Sequence, residues 1–531
     1  MAVRPAEAPP AGRSAADKVV GRKTAVFAGW TAVSRVAGLV RESVAAALFG
    51  TSGPIAAFVI AFQVPNLLRS LVADSALSAA FIPVYTELRE QGREREAQRL
   101  AGALFGLIAV GLGLVSLVAV VTAPWVMPIF ATGLPQNLID DLVGLSQVLF
   151  PIVALLGLTG LVVGILQANG EFAATAFAPV LWNIVILAAL ICVAPFIPSD
   201  ERIYVYAGGI LAGTLAQLLY LLPGLRGKGP FPLSLRLRDP HVIRVIILML
   251  PVTVGLGLIN VNAVVDTLVA QLVSEDSVRA IDAAFRLYIL PQGIFSVAVA
   301  TVLFPSIARQ VAQGDMPGMR HTVGDGLRQD FFLLLPASAF LMVLAEPVTR
   351  LIYQHGQFNA LSTDLTSEAL FYFTLGLVFN GASLLLIRSF FSLQRPWLPT
   401  AVALGAMVLN AGLDLLLYRP LGTGGIPLST SIVSFLSFMA LAWLLGREIG
   451  GLDVRWLLDG FVRMAVASAV LALLAWTTWK VLDEALGTSV PAQIVSVGLA
   501  AVTGTLGYAA WCRGLDVPEL GKLARLMRPL R

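Results

Sequence analysis

The sequence predicts an all-α integral membrane protein with about 14 transmembrane helices: two pseudo-symmetric six-helix lobes and two C-terminal helices. Three observations predict it. First, 57% of the 531 residues are hydrophobic and only 13% are charged, where soluble chains carry about 25%. Second, the apolar residues come in stretches that reach the ~20 residues a membrane span needs, without the period-two alternation of a membrane barrel. Third, the chain repeats. "APWVMPIFATG" is answered by "EPVTRLIYQHG", which sets Pro124 on Pro347, 223 positions on. "AFQVPNLLRSLVADSALSAAFIP" is answered by "AFRLYILPQGIFSVAVATVLFP" at nearly the same offset. Six is even, so both copies would enter the bilayer in one orientation, as in parallel-repeat transporters.

In chain order, residues 1–24 are rich in Ala, Pro and charge and read as a disordered cytoplasmic tail. No short apolar core with a small-residue cleavage site follows, so a cleaved leader is not expected. The N-lobe, 25–223, holds spans near 25–49, 54–86, 98–122, 139–168, 173–196 and 203–223. A cytoplasmic linker covers 224–242. The C-lobe, 243–446, holds spans near 243–272, 278–308, 329–352, 363–393, 397–418 and 424–445. Spans near 457–480 and 489–512 lie in a further segment, 447–513, and 514–531 form a second cytoplasmic tail. Basic residues alternate along the chain. Loops after even-numbered spans, with both tails, hold most of them, such as Arg89, Arg93, Arg95 and Arg99, while Arg202 and Arg350 stand alone in loops after odd-numbered spans. By the positive-inside rule both termini are cytoplasmic. The formal net charge of +4 follows from these loops and calls for no nucleic acid.

Some charges fall within the spans. "SRVAGLVRESVAAALFG" (34–50) carries Arg35, Arg41 and Glu42. Counted from the start of its span, Arg35 lies about 15 Å and Arg41 about 24 Å along the helix. A charge at mid-bilayer costs at least ~2.5–3.5 kcal/mol. Arg69 lies in span 2 and Arg286 in span 8, which the repeat makes equivalent. Arg388 and Arg463 sit near span ends, where a long side chain snorkels. Two readings stand side by side for the deeper four. Each Arg could be balanced by a local acid: Arg35 by Glu42 seven residues on, Arg69 by Asp74, Arg286 by Asp282 one turn before it. Alternatively, Arg35, Arg41, Arg69 and Arg286 form a cationic pocket for an anionic cargo, with Ser34, Glu42, Asn66 and Asp74 supporting them. Arginine suits phosphate through its planar, permanently charged fork.

Catalytic chemistry finds little footing. The three histidines, His241, His321 and His355, lack metal-ligand spacing, no phosphate-binding loop appears, and Cys192 and Cys512 suggest no disulfide framework. No tightly bound cofactor is expected. One cation site is. "VLNAGLDLLLY" places Asn410 and Asp414 four apart on one face of span 11. Span 7 carries a lone acid, Asp266, and span 12 offers the Ile426 carbonyl and the Thr430 hydroxyl. An all-oxygen set suits a hard cation such as Na+. Protons at the two acids, or Asp414 beside Arg419 at the surface, are the alternatives.

"SRVAGLVRE", "AFQVPNLLRSLVADSALSAAFIPVYTE", "FAPVLWNI", "LPQGIFSVAVATVLFPSIAR" and "YQHGQF" together resemble the MurJ (MviN) lipid II flippases. That family lies within the multidrug/oligosaccharidyl-lipid/polysaccharide exporter superfamily. The resemblance runs from about residue 24 to 447 and beyond into two further spans. It implies a non-enzymatic transporter in the bacterial plasma membrane, working as a monomer among membrane lipids. Its cargo would be lipid II, the undecaprenyl-pyrophosphate disaccharide-pentapeptide of peptidoglycan synthesis, moved from the inner to the outer leaflet. It also implies that Arg35, Arg41, Arg69 and Arg286 are the cavity arginines, that spans 13 and 14 form a lipid groove, and that sodium sits at the matching positions of spans 7, 11 and 12. The sequence departs from the family at Ala56, Gln63, Ser70, Phe285 and Ile289, where relatives often carry charges. Competing readings are a flippase for another polyprenyl-linked oligosaccharide, a cation-coupled drug exporter of the same superfamily, and a membrane glycosyltransferase using the same lipid. The exporter would favour acids over arginines in the N-lobe. The glycosyltransferase would need a catalytic acid beside a sizeable outer loop.

Overall fold

The computed structural model describes the backbone of residues 15–521 except 73, 74, 132, 233 and 237. It describes their side chains except at 15–28, 68–72, 75–79, 251, 252, 254–256, 258 and 259. The described residues form helices and no strand. In order these are α1 (Ala15–Phe49), α2 (Pro54–Val72), α3 (Ser75–Glu90), α4 (Glu94–Val126), α5 (Gln136–Leu149) and α6 (Ile152–Ala168). There follow α7 (Phe172–Ala188), α8 (Arg202–Leu221), α9 (Pro240–Val273), α10 (Glu275–Ala312), α11 (Met316–Val343) and α12 (Ala345–Tyr353). The last are α13 (Ala360–Ser392), α14 (Trp397–Leu421), α15 (Gly425–Ile449), α16 (Val454–Leu486) and α17 (Val490–Gly514). Among the described residues, ten helical stretches are long and apolar enough to cross a membrane, one of which, 397–449, holds both α14 and α15.

All the expected spans fall on helices, but their edges move. Helix α1 begins at Ala15, so residues 15–24, expected in the tail, continue the first helix. The second span is two helices, α2 and α3. The fourth breaks between α5 and α6 at Pro151, a residue with no N–H to give the helix ladder. The ninth starts well before residue 329, because α11 runs into the charged sequence from Met316 and is capped by Asp315, whose carboxylate accepts from the Gly318 N–H at 2.9 Å. Hydropathy hides such a start, since charged residues fit a helix end as well as a loop. The stretch after Val343 is a separate helix, α12. The repeat is visible in the element order. The long α4 leads to a short 3-10 helix (Met127–Phe130) and then α5; the long α11 leads to the short α12 and then α13.

The chain forms two compact units. One comprises Met1–Glu42, Leu68–Ala123 and Ser146–Val254; the other comprises Ser43–Leu67, Pro124–Leu145 and Gly255–Arg531. The division therefore does not run at the linker alone. In the first unit, α3, α4, α6 and the start of α9 enclose a core that includes Phe81, Leu100, Leu104, Leu161 and Val245. The linker lies against α4: a Cβ on Gly102 would strike the Pro232 backbone.

In the second unit, α10, α11, α13 and α15 pack together, and α16 and α17 pack on each other and on α11. The end of α1 is held here. Ser43 Oγ donates to the Ile352 carbonyl at 2.5 Å, and the Gln357 N–H donates to the Ala47 carbonyl at 2.8 Å. Gly356, at φ +57°, comes so near Ala47 that a Cβ would overlap its carbonyl. Glycine supplies both the left-handed turn and the room. The last two helices are fastened through α11. Tyr508 donates to the Phe332 carbonyl at 2.8 Å, and buried Arg328 forms a two-point ion pair with buried Glu519 (2.6 and 3.1 Å).

Candidate functional site

In the first unit the charges of α1 separate into two kinds. Arg41 and Glu42 are buried, 6% and 3% exposed. Arg41 donates through one terminal nitrogen to Glu42 Oε1 at 2.6 Å and through the other to Asn183 Oδ1 on α7 at 3.1 Å. Its guanidinium also lies 4.6 Å from the centre of the Trp182 ring. Asn183 in turn donates to the backbone carbonyls of Ser34 and Pro179, and the Tyr206 hydroxyl on α8 stands 3.5 Å from Glu42. Two opposite charges, an amide and an aromatic face thus tie α1 to α7 and α8. Arg35 is exposed, with no partner among the described residues. The acid weighed as its balance, Glu42, faces Arg41 instead. Ser34 enters only through its backbone carbonyl. Asp74 lies outside the described residues, as does the side chain of Arg69, whose backbone belongs to α2.

In the second unit Arg286 shows the local pairing its spacing allows. Its Nε and one terminal nitrogen donate to the two oxygens of Asp282, at 3.0 and 3.3 Å. Asp282 also accepts from fully buried Arg279 at 2.7 Å. One carboxylate therefore faces two guanidinium groups. A third of the Arg286 side chain remains exposed. The adjoining Phe285 packs against Tyr288 and Phe373. Asn66 donates to Asn260 Oδ1 on α9 at 3.4 Å.

The expected cation ligands also lie in the second unit, and three of them meet. The Asn410 amide donates to Asp266 Oδ1 at 2.7 Å and to Asp414 Oδ2 at 2.9 Å. Asn262 supports Asp266 from one turn away at 3.2 Å. Asp414 and Asn410 are fully buried on α14, and Asp414 Oδ1 has no hydrogen-bond partner. Thr430 donates to the Ile426 carbonyl at 3.3 Å within α15, and neighbouring Ser429 faces Asp414. Like charges this close repel unless a cation or a proton intervenes. The orphaned, buried oxygen and the oxygen-only donor set fit a small hard cation. Asp414 is not at the surface with Arg419, which donates instead to the Tyr418 hydroxyl. No cluster of three His, Cys, Asp or Glu suited to a metal occurs among the described residues.

The sequence reading missed Asn183, Trp182, Tyr206, Arg279, Asn262 and Ser429. Asn183 and Asn262 carried a signal, being polar residues inside apolar spans. Arg279 was passed over because the start of α10 is charged. Tyr206 and Trp182 give no such signal, because aromatics are ordinary in spans.

A multi-span helical protein with internal repeats and charges buried in its helices defines a class, that of membrane transporters. The fold is shared with solved members of the class. An inward-facing multidrug resistance transporter of the MATE family aligns with a TM-score of 0.64 at 16% identity, covering 80% of this chain and 94% of that one. A structure described as a lipid II flippase MurJ in an inward closed conformation aligns more fully, with a TM-score of 0.76 at 22% identity over 92% of this chain and 99% of the other. The family model described as "Lipid II flippase MurJ" matches residues 45–495. The chain belongs to that family. The lipid II flippase MurJ of Burkholderia cenocepacia is 31% identical over 86% of this chain and 89% of its own length. A probable lipid II flippase MurJ of Rhizobium meliloti is 30% identical over 96% of each.

Proposed function

We propose that this chain is the flippase that moves lipid II from the inner to the outer leaflet of a bacterial plasma membrane by alternating access, with both termini in the cytoplasm. Membership of the family over residues 45–495 carries the reading. The charges refine it. Arg35 is exposed and unpartnered among the described residues, and Arg286 keeps a third of its side chain exposed beside Asp282. These are the groups fit to receive a pyrophosphate, together with Arg69. Arg41 is committed to Glu42 and Asn183 and holds α1 in place for its neighbours. Residues 457–512 form the lipid groove. A sodium ion would be held by Asp266, Asn410, Asp414, the Ile426 carbonyl and Thr430. It would supply the positive charge that lets both carboxylates stay ionised in the interior.

The test is replacement of the native flippase by variants, with the leaflet of lipid II assayed directly. Arg286→Ala should leave insertion intact and stop delivery to the outer leaflet, since a charge-assisted phosphate contact contributes ~1.5–3 kcal/mol. Arg286→Lys should restore only part, because an ammonium cannot bind bidentately. Normal delivery by Arg286→Ala at native expression removes the cargo role. Orientation is read separately: with exposed Cys192 replaced, a cysteine at position 92 should resist an impermeant external reagent.

A further inference from the structure

One buried acid takes no part in the sites above. Asp330, on α11, is 0% exposed, and neither of its carboxyl oxygens has a hydrogen-bond partner. The polar group facing it is the hydroxyl of Ser296 on α10, itself 0% exposed and without a partner of its own. Three helices close tightly around this spot. A Cβ placed on Gly381 of α13 would collide with Ser296 Oγ and with Leu334 Cδ1, one turn beyond Asp330. No charged side chain faces Asp330 among the described residues. On its own helix Arg328 turns to Glu519 and the Trp456 carbonyl, and Asp325 lies by His321. On α10 Asp282 holds Arg279 and Arg286, on α13 Arg388 donates to Thr301, and on α16 Arg463 donates to Asp459.

A carboxylate left with neither a cation nor a hydrogen-bond donor is among the costliest groups a protein interior can hold. A neutral carboxylic acid is far cheaper there. Ser296 is also the end of a polar line. It shares one face of α10 with Gln292 and Tyr288, at intervals of four residues. Gln292 donates to Asn380 Oδ1 at 3.1 Å, and Asn380 donates to the Tyr288 hydroxyl at 2.8 Å. Gln292 and Asn380 are half-buried, so the line leads from a sealed acid toward accessible positions.

We propose that Asp330 is a proton-binding site, on helices other than those of Asp266 and Asp414, that loads and unloads through Ser296 and Gln292 as α10, α11 and α13 close and part. The step balances simply. The carboxylate takes one proton delivered from water and becomes a carboxylic acid, and the hydroxyl of Ser296 passes the proton without net change. A proton held here neutralises the one charge that opposes tight packing of the three helices. Proton availability is thereby linked to the conformation of this unit. The proposal goes beyond the cargo assignment and does not rest on it.

The experiment is infrared difference spectroscopy on the full chain in lipid nanodiscs, titrated with pH in the carboxylic-acid C=O region, without cargo. Wild type should show a C=O band that appears as pH falls. The band should be lost in Asp330→Asn, and its midpoint should be displaced in Ser296→Ala. An unchanged difference spectrum in Asp330→Asn overturns the proposal, as does an Asp330 band of constant size at every pH. Should Asp330→Asn fail to fold, Ser296→Ala, which removes only a hydroxyl, decides: a displaced midpoint supports the site and an unmoved one overturns it. Because no lipid II is present, loss of the cargo reading would leave this result standing.

Discussion

The first unit buries Arg41 beside Glu42, and the second sets half-buried Asp266 beside buried Asp414, yet the two pairs do different work. In the first, opposite charges stand 2.6 Å apart beside an amide and an aromatic face, and Arg41 Nε is left over. In the second, like charges share one amide and an oxygen is left over. Burial alone therefore does not mark a functional charge. What distinguishes them is charge balance: an opposite pair neutralises itself and braces helices, whereas a like pair asks for a counter-charge.

The largest effect expected from this distinction is at Glu42. Removing one partner of a buried pair strands the other, at a cost of about 3–5 kcal/mol. Glu42→Ala should accordingly lower the thermal stability of the purified protein sharply and reduce its folded yield. Glu42→Gln, which keeps an acceptor for Arg41, should do less damage. A Glu42→Ala protein as stable as wild type would show that the pair does not brace α1. The same rule applies to Arg328 and Glu519, 2% and 3% exposed. Here Arg328 would keep the Trp456 carbonyl at 3.2 Å and the Trp456 ring at 4.4 Å. Glu519→Ala should therefore cost about 3 kcal/mol, the lower end of that range. Limited proteolysis should then reach the connections around α16 and α17 first. Wild-type resistance at those connections would separate this ion pair from the docking of the last two helices.

The acid pair should respond in the opposite sense. Asp414→Asn removes repulsion, so in sodium-free buffer it should not destabilise the protein. What it should lose is stabilisation by sodium. A ligand at one hundred times its Kd adds about 2.7 kcal/mol to the folded state, and a melting series in sodium against choline chloride reads that increment directly. Sodium dependence that survives in both Asp414→Asn and Asp266→Asn would move the ion elsewhere.

How much of this was legible in the sequence follows from how local each feature is. Spans were legible because twenty apolar residues leave few alternatives, and Arg286 with Asp282 was legible because both lie on one helix. The acid cluster was legible in part. Asn410 and Asp414 share a helix, and Asp266 was suggested by being the lone acid of its span. The partner of Glu42 was misjudged. Helical spacing favoured Glu42 facing Arg35, but the fold turns Glu42 toward Arg41, where Asn183 and Tyr206 arrive from distant helices. Asp330 escaped notice because a single Asp after "GLRQ" near a charged helix start looks like surface. Only the third dimension shows α10 and α13 closing over it.

The smallest expected effect is the sharpest control on the comparison, because it repeats one geometry in another environment. Arg463 Nε lies 3.0 Å from Asp459, four residues before it on α16, and Arg286 Nε lies 3.0 Å from Asp282, four residues before it on α10. The side chains of the first pair are 42% and 51% exposed, against 33% and 17% for the second. An exposed i,i+4 pair contributes about 0.3–0.5 kcal/mol, and salt screens it. Asp459→Asn should thus shift the melting temperature barely at all, and less still at high salt. Asp282→Asn should be felt more, since it takes one acid partner from buried Arg279 as well as from Arg286. Equal losses from the two substitutions would mean that hydrogen-bond geometry, not exposure, sets the worth of a charge pair in this protein.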